Sequence, residues 1–342
     1  MTGMSHSLLA LVANAGDGSV TAFRVTDDRL QRLAVSEVAT GCSTFAVDRD
    51  RYLVYAAGKD PARVVSCGLD PGSGELEVIG TRPVPASLTY LALTPRGGQL
   101  LGASYSGGLA CCWPVDGGQV GEPGEPVRYR NLHAVVVTRD SRQAYLVSLG
   151  EDLIVRCTVT ADHQLVDPVT VAAPAGSGPR HLVLNAHQTA AYVVTEFSGE
   201  VLHYHRDLDT GDLSLQEQVS VVEPQAGLRP SRFGADPLAE TLVWGADLHL
   251  APHQGWLWAT ERTASTVATV PLGLGGGLEP ASAVAPTEQQ PRGFAVSPDG
   301  QHLLVAGERS GKVTLHRVGP DGSLERVDQQ PSGAGASWVR FL

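Results

Sequence analysis

One four-strand pattern recurs seven times along these 342 residues, and that repetition restricts the fold more than any other feature. The turn that precedes Leu303-Leu304-Val305-Ala306-Gly307 has counterparts anchored at Arg49, Pro95, Arg139, Ala186, Pro252 and Pro298. These anchors fall about 44 to 47 residues apart, with one longer interval of about 66. A seventh copy opens the chain, where Leu9 to Gly16 aligns with Tyr52 to Lys59 and sets its anchor near His6.

Every copy has the same parts. A short apolar strand such as Phe294-Ala295-Val296 meets a turn such as Ser297-Pro298-Asp299-Gly300, and a second strand follows. A small-residue loop (Arg309-Ser310-Gly311) leads to an alternating third strand through Val313, Leu315 and Arg317. A second turn, Pro320-Asp321-Gly322, precedes the fourth strand. Third strands are expected to open near Gly18, Ala62, Gly107, Asp152, Gly199, Ser265 and Gly311. Period-two alternation punctuated by Gly, Asp and Pro is the signature of antiparallel hairpins, and no stretch sustains a helical period. The abundance of glycine (39) and proline (22) agrees with a turn-rich, all-β chain.

Four such strands per repeat make one blade of a propeller, so the expected architecture is an all-β, seven-bladed β-propeller forming one domain over 1–342. The chain opens on a second strand and closes on Ala336-Ser337-Trp338-Val339-Arg340-Phe341, which reads as a first strand. The last strand therefore completes the N-terminal blade and closes the ring, which removes the exposed sheet edges. A closed ring needs no partner, so a monomer is expected. The extra residues of the long interval, roughly Glu223 to Thr241, read as a loop between blades five and six.

Composition narrows the function classes. A net charge of −11 without a basic stripe argues against nucleic acid. No run approaches the length of a membrane helix, and the apolar run Leu8–Ala13 carries no basic flank, so neither a membrane partner nor a signal peptide is expected. Cys42, Cys67, Cys111, Cys112 and Cys157 are odd in number and match no metal spacing. Free, mostly buried thiols in a reducing compartment are expected, hence a cytoplasmic location.

Register converts the repeat into a site. The start of strand one and the end of strand two share one face of the disc. Six residues before each anchor stand Ser43, Thr89, His133, Arg180, Ala246, Arg292 and, in the closing blade, Ser337. Ten residues after each stand Gly16, Lys59, Tyr105, Leu149, Glu196, Arg262 and Glu308; His181 and Asp247 lie five before theirs. The interior positions of strand one are apolar, as at Phe45, Leu91, Leu182 and Phe294. A charged rim over apolar walls fits a ligand pocket at the channel mouth, and it fits equally a set of ion pairs locking the blades, such as Glu196 with Arg262 or Arg180.

Other histidines carry less. His203 and His205 read as a solvent-facing pair, and His249 as a hydrogen-bonded core residue. Gly273 to Gly277 is a turn, and Gly-Xaa-Ser-Xaa-Gly is absent.

Four stretches resemble the bacterial 6-phosphogluconolactonase family of seven-bladed propellers. They are Gly176-Ser177-Gly178-Pro179-Arg180-His181-Leu182, Ala246-Asp247-Leu248-His249-Leu250-Ala251-Pro252, Glu261-Arg262-Thr263-Ala264-Ser265 and Thr287-Glu288-Gln289-Gln290-Pro291-Arg292-Gly293-Phe294. The first three blades match less distinctively, apart from Ser104-Tyr105-Ser106-Gly107-Gly108, and the chain departs from the family at Asn185-Ala186-His187. The resemblance implies hydrolysis of a phosphorylated six-membered sugar lactone, with no cofactor or metal. It implies catalytic roles for His133, Arg180, Glu196 and Arg262. His181, Asp247 and Arg292 are the expected substrate-binding residues. In that scheme Glu196 or His133 is the general base, one of Arg180 and Arg262 stabilises the oxyanion, and the other arginine with Arg292 holds the phosphate. A carboxymuconate-type cycloisomerase, a Ca²⁺-dependent lactonase and a non-catalytic scaffold are the alternatives. The second would need more oxygen ligands than Asp247 and Glu196 supply.

Overall fold

The computed structural model describes residues 7–253 and 255–342, and its strands form seven antiparallel sheets. Six sheets run in chain order from channel to periphery. In the seventh, Ala336–Phe341 pairs with Leu8–Asn14, so the last strand supplies the innermost position of the first blade. Closure of the ring by the C-terminal strand is thus as expected. The anchor near His6 lies outside the described residues.

Third strands begin at Ser19, Arg63, Leu109, Leu153, Glu200, Thr266 and Lys312, within two residues of the expected openings. Apolar side chains of neighbouring blades interlock across each interface, as where Tyr145 and Leu146 of blade four face opposite clusters. Burial of such faces is the main stabilising term, at roughly 25 cal/mol per Å² of apolar surface. All five cysteines are buried and unpaired. Burial pushes the Cys42 thiol up to about 12, helped by the neighbouring Cys67.

Three details depart from expectation. The outer strand of blade three is split into Gln119–Val120 and Val127–Arg128. The insertion between blades five and six is not wholly loop. It holds a 3-10 turn, Pro224–Ala226, and a one-turn helix, Pro237–Glu240, whose N-cap Asp236 accepts from Ala239 N. His203 and His205 are not a solvent-facing pair. His203 is buried, stacked on Tyr192 at 5.0 Å and bonded to Glu217, whereas only His205 is exposed. The third strand runs between neighbouring sheets, so both of its faces are covered until its end.

One irregularity places the site. Where strand one meets strand two at the rim, the pairing skips a residue. The unpaired residues are His133 in blade four, Arg180 in blade five, Ala246 and Asp247 in blade six, and Arg292 in blade seven. The closing strand skips Ser337 in the same way. A bulge turns its extra residue away from the ladder, and so His133, Arg180 and Arg292 are aimed at the channel mouth. In blade six it also fixes the need for glycine: a Cβ on Gly245 would stand 2.1 Å from the Thr195 carbonyl oxygen.

Candidate active site

A cavity of about 400 Å³ occupies the rim end of the channel. Of the strand-one ring, Ser43, Thr89, His133, Arg180 and Arg292 line it; of the strand-two ring, Lys59, Tyr105, Glu196 and Arg262 do. The two rings therefore meet as the repeat register implies. Ser87, Leu88, Ser106 and Trp244 complete the wall and were not indicated by the ring positions. Trp244 precedes strand one of blade six, and its ring lies 3.8 Å from the Arg262 guanidinium carbon. That cation–π contact holds the guanidinium flat against one wall.

Glu196 organises the centre. Its Oε2 accepts from Arg180 Nε at 2.9 Å and lies 2.9 Å from Arg262 Nη2. Both guanidiniums are buried, and the start of blade six supplies backbone acceptors to each of them. Arg180 Nη1 donates to the Ala246 carbonyl, while Arg262 donates to the carbonyls of Trp244 at 3.3 Å and Gly245 at 3.1 Å. Burial raises the pKa of Glu196, but the attraction of Arg262, Arg180 and Arg292 outweighs it and keeps the group below the usual carboxylate range. The residues that make the ion pairs between blades thus also line the cavity. Arg292 sits at the wetter edge, paired with Glu308 at 2.7 Å.

His133 differs from its neighbours. Its Nδ1 is buried without a hydrogen-bond partner. Burial, and the charges of Arg180 and then His181, Arg292 and Arg262, hold its pKa well below that of an ordinary histidine. The ring is therefore neutral at physiological pH and meets Tyr105 edge-on at 5.8 Å.

His181 and Asp247 do not line the cavity; they lie beneath it. His181 re-enters the ladder just after its bulge, whereas Asp247 is itself unpaired in the two-residue bulge of blade six, and the two side chains meet beneath the cavity. His181 Nδ1 is 2.7 Å from Asp247 Oδ1, and its Nε2 is 3.2 Å from Arg180 Nη1. Arginine can only donate, so Nε2 accepts and Nδ1 carries the proton given to Asp247. Burial and then Arg180 push His181 down to about 4. Asp247 Oδ2 accepts from Phe294 N at 3.2 Å and faces His249 at 3.3 Å, so His249 is a hydrogen-bonded channel residue as expected. His133, His181, Tyr90 and Trp338 pack ring against ring into an aromatic floor. Among the described residues no three His, Cys, Asp or Glu side chains cluster as metal ligands.

The family model "Lactonase, 7-bladed beta-propeller" matches residues 7–341. A 6-phosphogluconolactonase of Klebsiella pneumoniae is 26% identical over 318 residues, covering 92% of each chain. One from an Enterobacter species is 27% identical with the same coverage. Among solved structures, the periplasmic gluconolactonase of Pseudomonas aeruginosa superposes with a TM-score of 0.86 at 23% identity, over 98% of this chain and 99% of that one.

Proposed function

Since the chain belongs to the seven-bladed β-propeller lactonase family, we propose that it hydrolyses 6-phosphogluconolactone to 6-phosphogluconate, the lactone step of the pentose phosphate pathway. The observation that carries this reading is the charge of the pocket. In a chain of net charge −11, its wall presents Lys59, Arg180, Arg262 and Arg292 against Glu196. That local excess of cations suits a substrate bearing a phosphate and developing an oxyanion.

Water adds to the lactone carbonyl carbon and gives its proton to a base. The carbonyl oxygen then carries the negative charge. On collapse the bond from the carbonyl carbon to the ring oxygen breaks, and the ring oxygen takes up a proton to leave the open hydroxy acid. His133 is the better base: it is neutral and uncommitted, whereas Glu196 already holds two guanidiniums. Donors of Arg180 and Arg262 not spent on Glu196 or backbone carbonyls face the oxyanion. Arg292, with Lys59 beside it, takes the phosphate. Asp247 and His181 act as positioning residues for Arg180 rather than as substrate ligands.

Five reduced thiols suit a cytoplasmic enzyme, and no helix among the described residues is long and apolar enough to cross a membrane. A monomer of one propeller domain completes the reading. The test is turnover of freshly generated 6-phosphogluconolactone by the purified chain, corrected for spontaneous opening. Rates equal to the uncatalysed reaction would remove the proposal.

A further inference from the structure

The channel has a second mouth, on the face opposite the site described above, and it holds an unexplained pair of cations. A cavity of about 360 Å³ opens there, walled by Phe45, Leu91, Val135 and Phe341 and edged by Arg49 and Arg340. Arg49 Nη2 donates to the Phe341 carbonyl at 2.7 Å, and Arg340 Nη1 to the Val339 carbonyl at 2.8 Å. Arg340 lies over the Trp338 ring at 4.2 Å. A guanidinium has five N–H donors, so most of theirs are unspent.

Neither arginine has a carboxylate partner within ion-pairing distance among the described residues. Asp48, next to Arg49 in sequence, is 2.8 Å from Arg51 instead. Arg49 is solvent-exposed at the edge of the opening; partial desolvation and then the facing Arg340 depress its pKa, so the two charges repel each other. Two like charges over an apolar well are unfavourable in the empty protein, and an anion with an apolar body relieves both features at once.

We propose that this lower mouth is a second ligand site, taking a small monocarboxylate whose hydrocarbon part enters the channel while its carboxylate bridges Arg49 and Arg340. The walls offer no polar set suited to a sugar, which separates this ligand class from the substrate of the upper mouth. The floor keeps the two apart: Tyr90 meets Trp338 edge-on at 4.8 Å and His181 at 5.3 Å, closing the channel between them. The site therefore does not depend on the reaction catalysed above it.

Calorimetric titration of the full chain with hexanoate, and with hexanamide as its uncharged counterpart, tests this. Hexanoate is expected to bind, and hexanamide to bind ~10-fold more weakly or worse, since a hydrogen bond to a charged partner is lost. Arg49→Gln and Arg340→Gln should each weaken hexanoate by a similar factor, with native circular dichroism. Arg292→Ala, in the upper pocket, should leave hexanoate affinity unchanged. No heat with hexanoate, equal affinity for hexanamide, indifference to both lower-mouth substitutions, or loss on Arg292→Ala would each overturn the assignment. The acid–amide comparison uses unaltered protein, so it stands even if a variant does not fold.

Discussion

Glu196 Oε2 holds Arg180 and Arg262 at once, each at 2.9 Å, and so joins blades five and six at the wall of the pocket. The joint is structural, and in the proposed mechanism it is functional as well, so substitutions should separate the two roles. Glu196→Ala leaves two buried guanidiniums without their counter-ion, which is expected to destabilise the fold by ~3–5 kcal/mol. Glu196→Gln keeps the shape and should lose less stability. Its turnover is nonetheless expected to fall by ~10²-fold, since neither arginine is then held against a charge. Denaturant unfolding beside kcat measurements checks both; a Gln variant of ordinary activity contradicts the role given to the pair.

His133 should show the opposite balance. Its Nδ1 makes no hydrogen bond in the fold, so His133→Asn is expected to shift stability by only about 1 kcal/mol. Activity should fall by ~10²-fold or more, as expected for loss of a general base. Equal losses of stability and activity would mark the residue as structural.

Specificity should reside at the edge of the pocket. Arg292→Ala is expected to raise KM for the phosphorylated lactone by ~10-fold or more, through loss of a charge-assisted contact. Hydrolysis of unphosphorylated gluconolactone should change little. Parallel losses on both substrates would remove the phosphate role.

The buried histidines make stability depend on acidity. His181 and His316 are both held at about 4, His181 by burial and then Arg180, His316 by burial and then Arg326. The unfolded chain binds these protons near the ordinary histidine pKa of ~6.5, and the folded chain does not until far lower. Their contribution is thus fully present above ~6.5 and is lost as pH falls from there toward 4, on the order of 3 kcal/mol for each. Denaturant midpoints should drop steadily between pH 7 and pH 5. A midpoint that holds or rises over that interval contradicts the environment assigned to these rings.

Much of this was legible in the sequence because a propeller repeats its backbone as well as its residues. Counting from the anchors brought His133, Arg180, Glu196, Arg262 and Arg292 to one face without any knowledge of contacts. The same counting failed for His181 and Asp247. Adjacent positions in a strand are assigned by simple alternation, whereas the bulge of blade five turns Arg180 to the mouth and leaves His181 below it, and the two-residue bulge of blade six leaves Asp247 unpaired beneath the cavity. Trp244 and Ser87 each stand eight residues before their anchors, and they escaped because only the positions six before and ten after each anchor were compared. His203 was misplaced because alternation does not register the neighbouring sheet that covers a third strand.

The most direct test of the central claim is hydrolysis of freshly generated 6-phosphogluconolactone by the wild-type chain and by His133→Asn, each corrected for spontaneous opening. Turnover well above background in the wild type, reduced ~10²-fold in a variant whose stability shifts by only about 1 kcal/mol, is the predicted result. Wild-type turnover at background, or a variant as fast as the wild type, would contradict it.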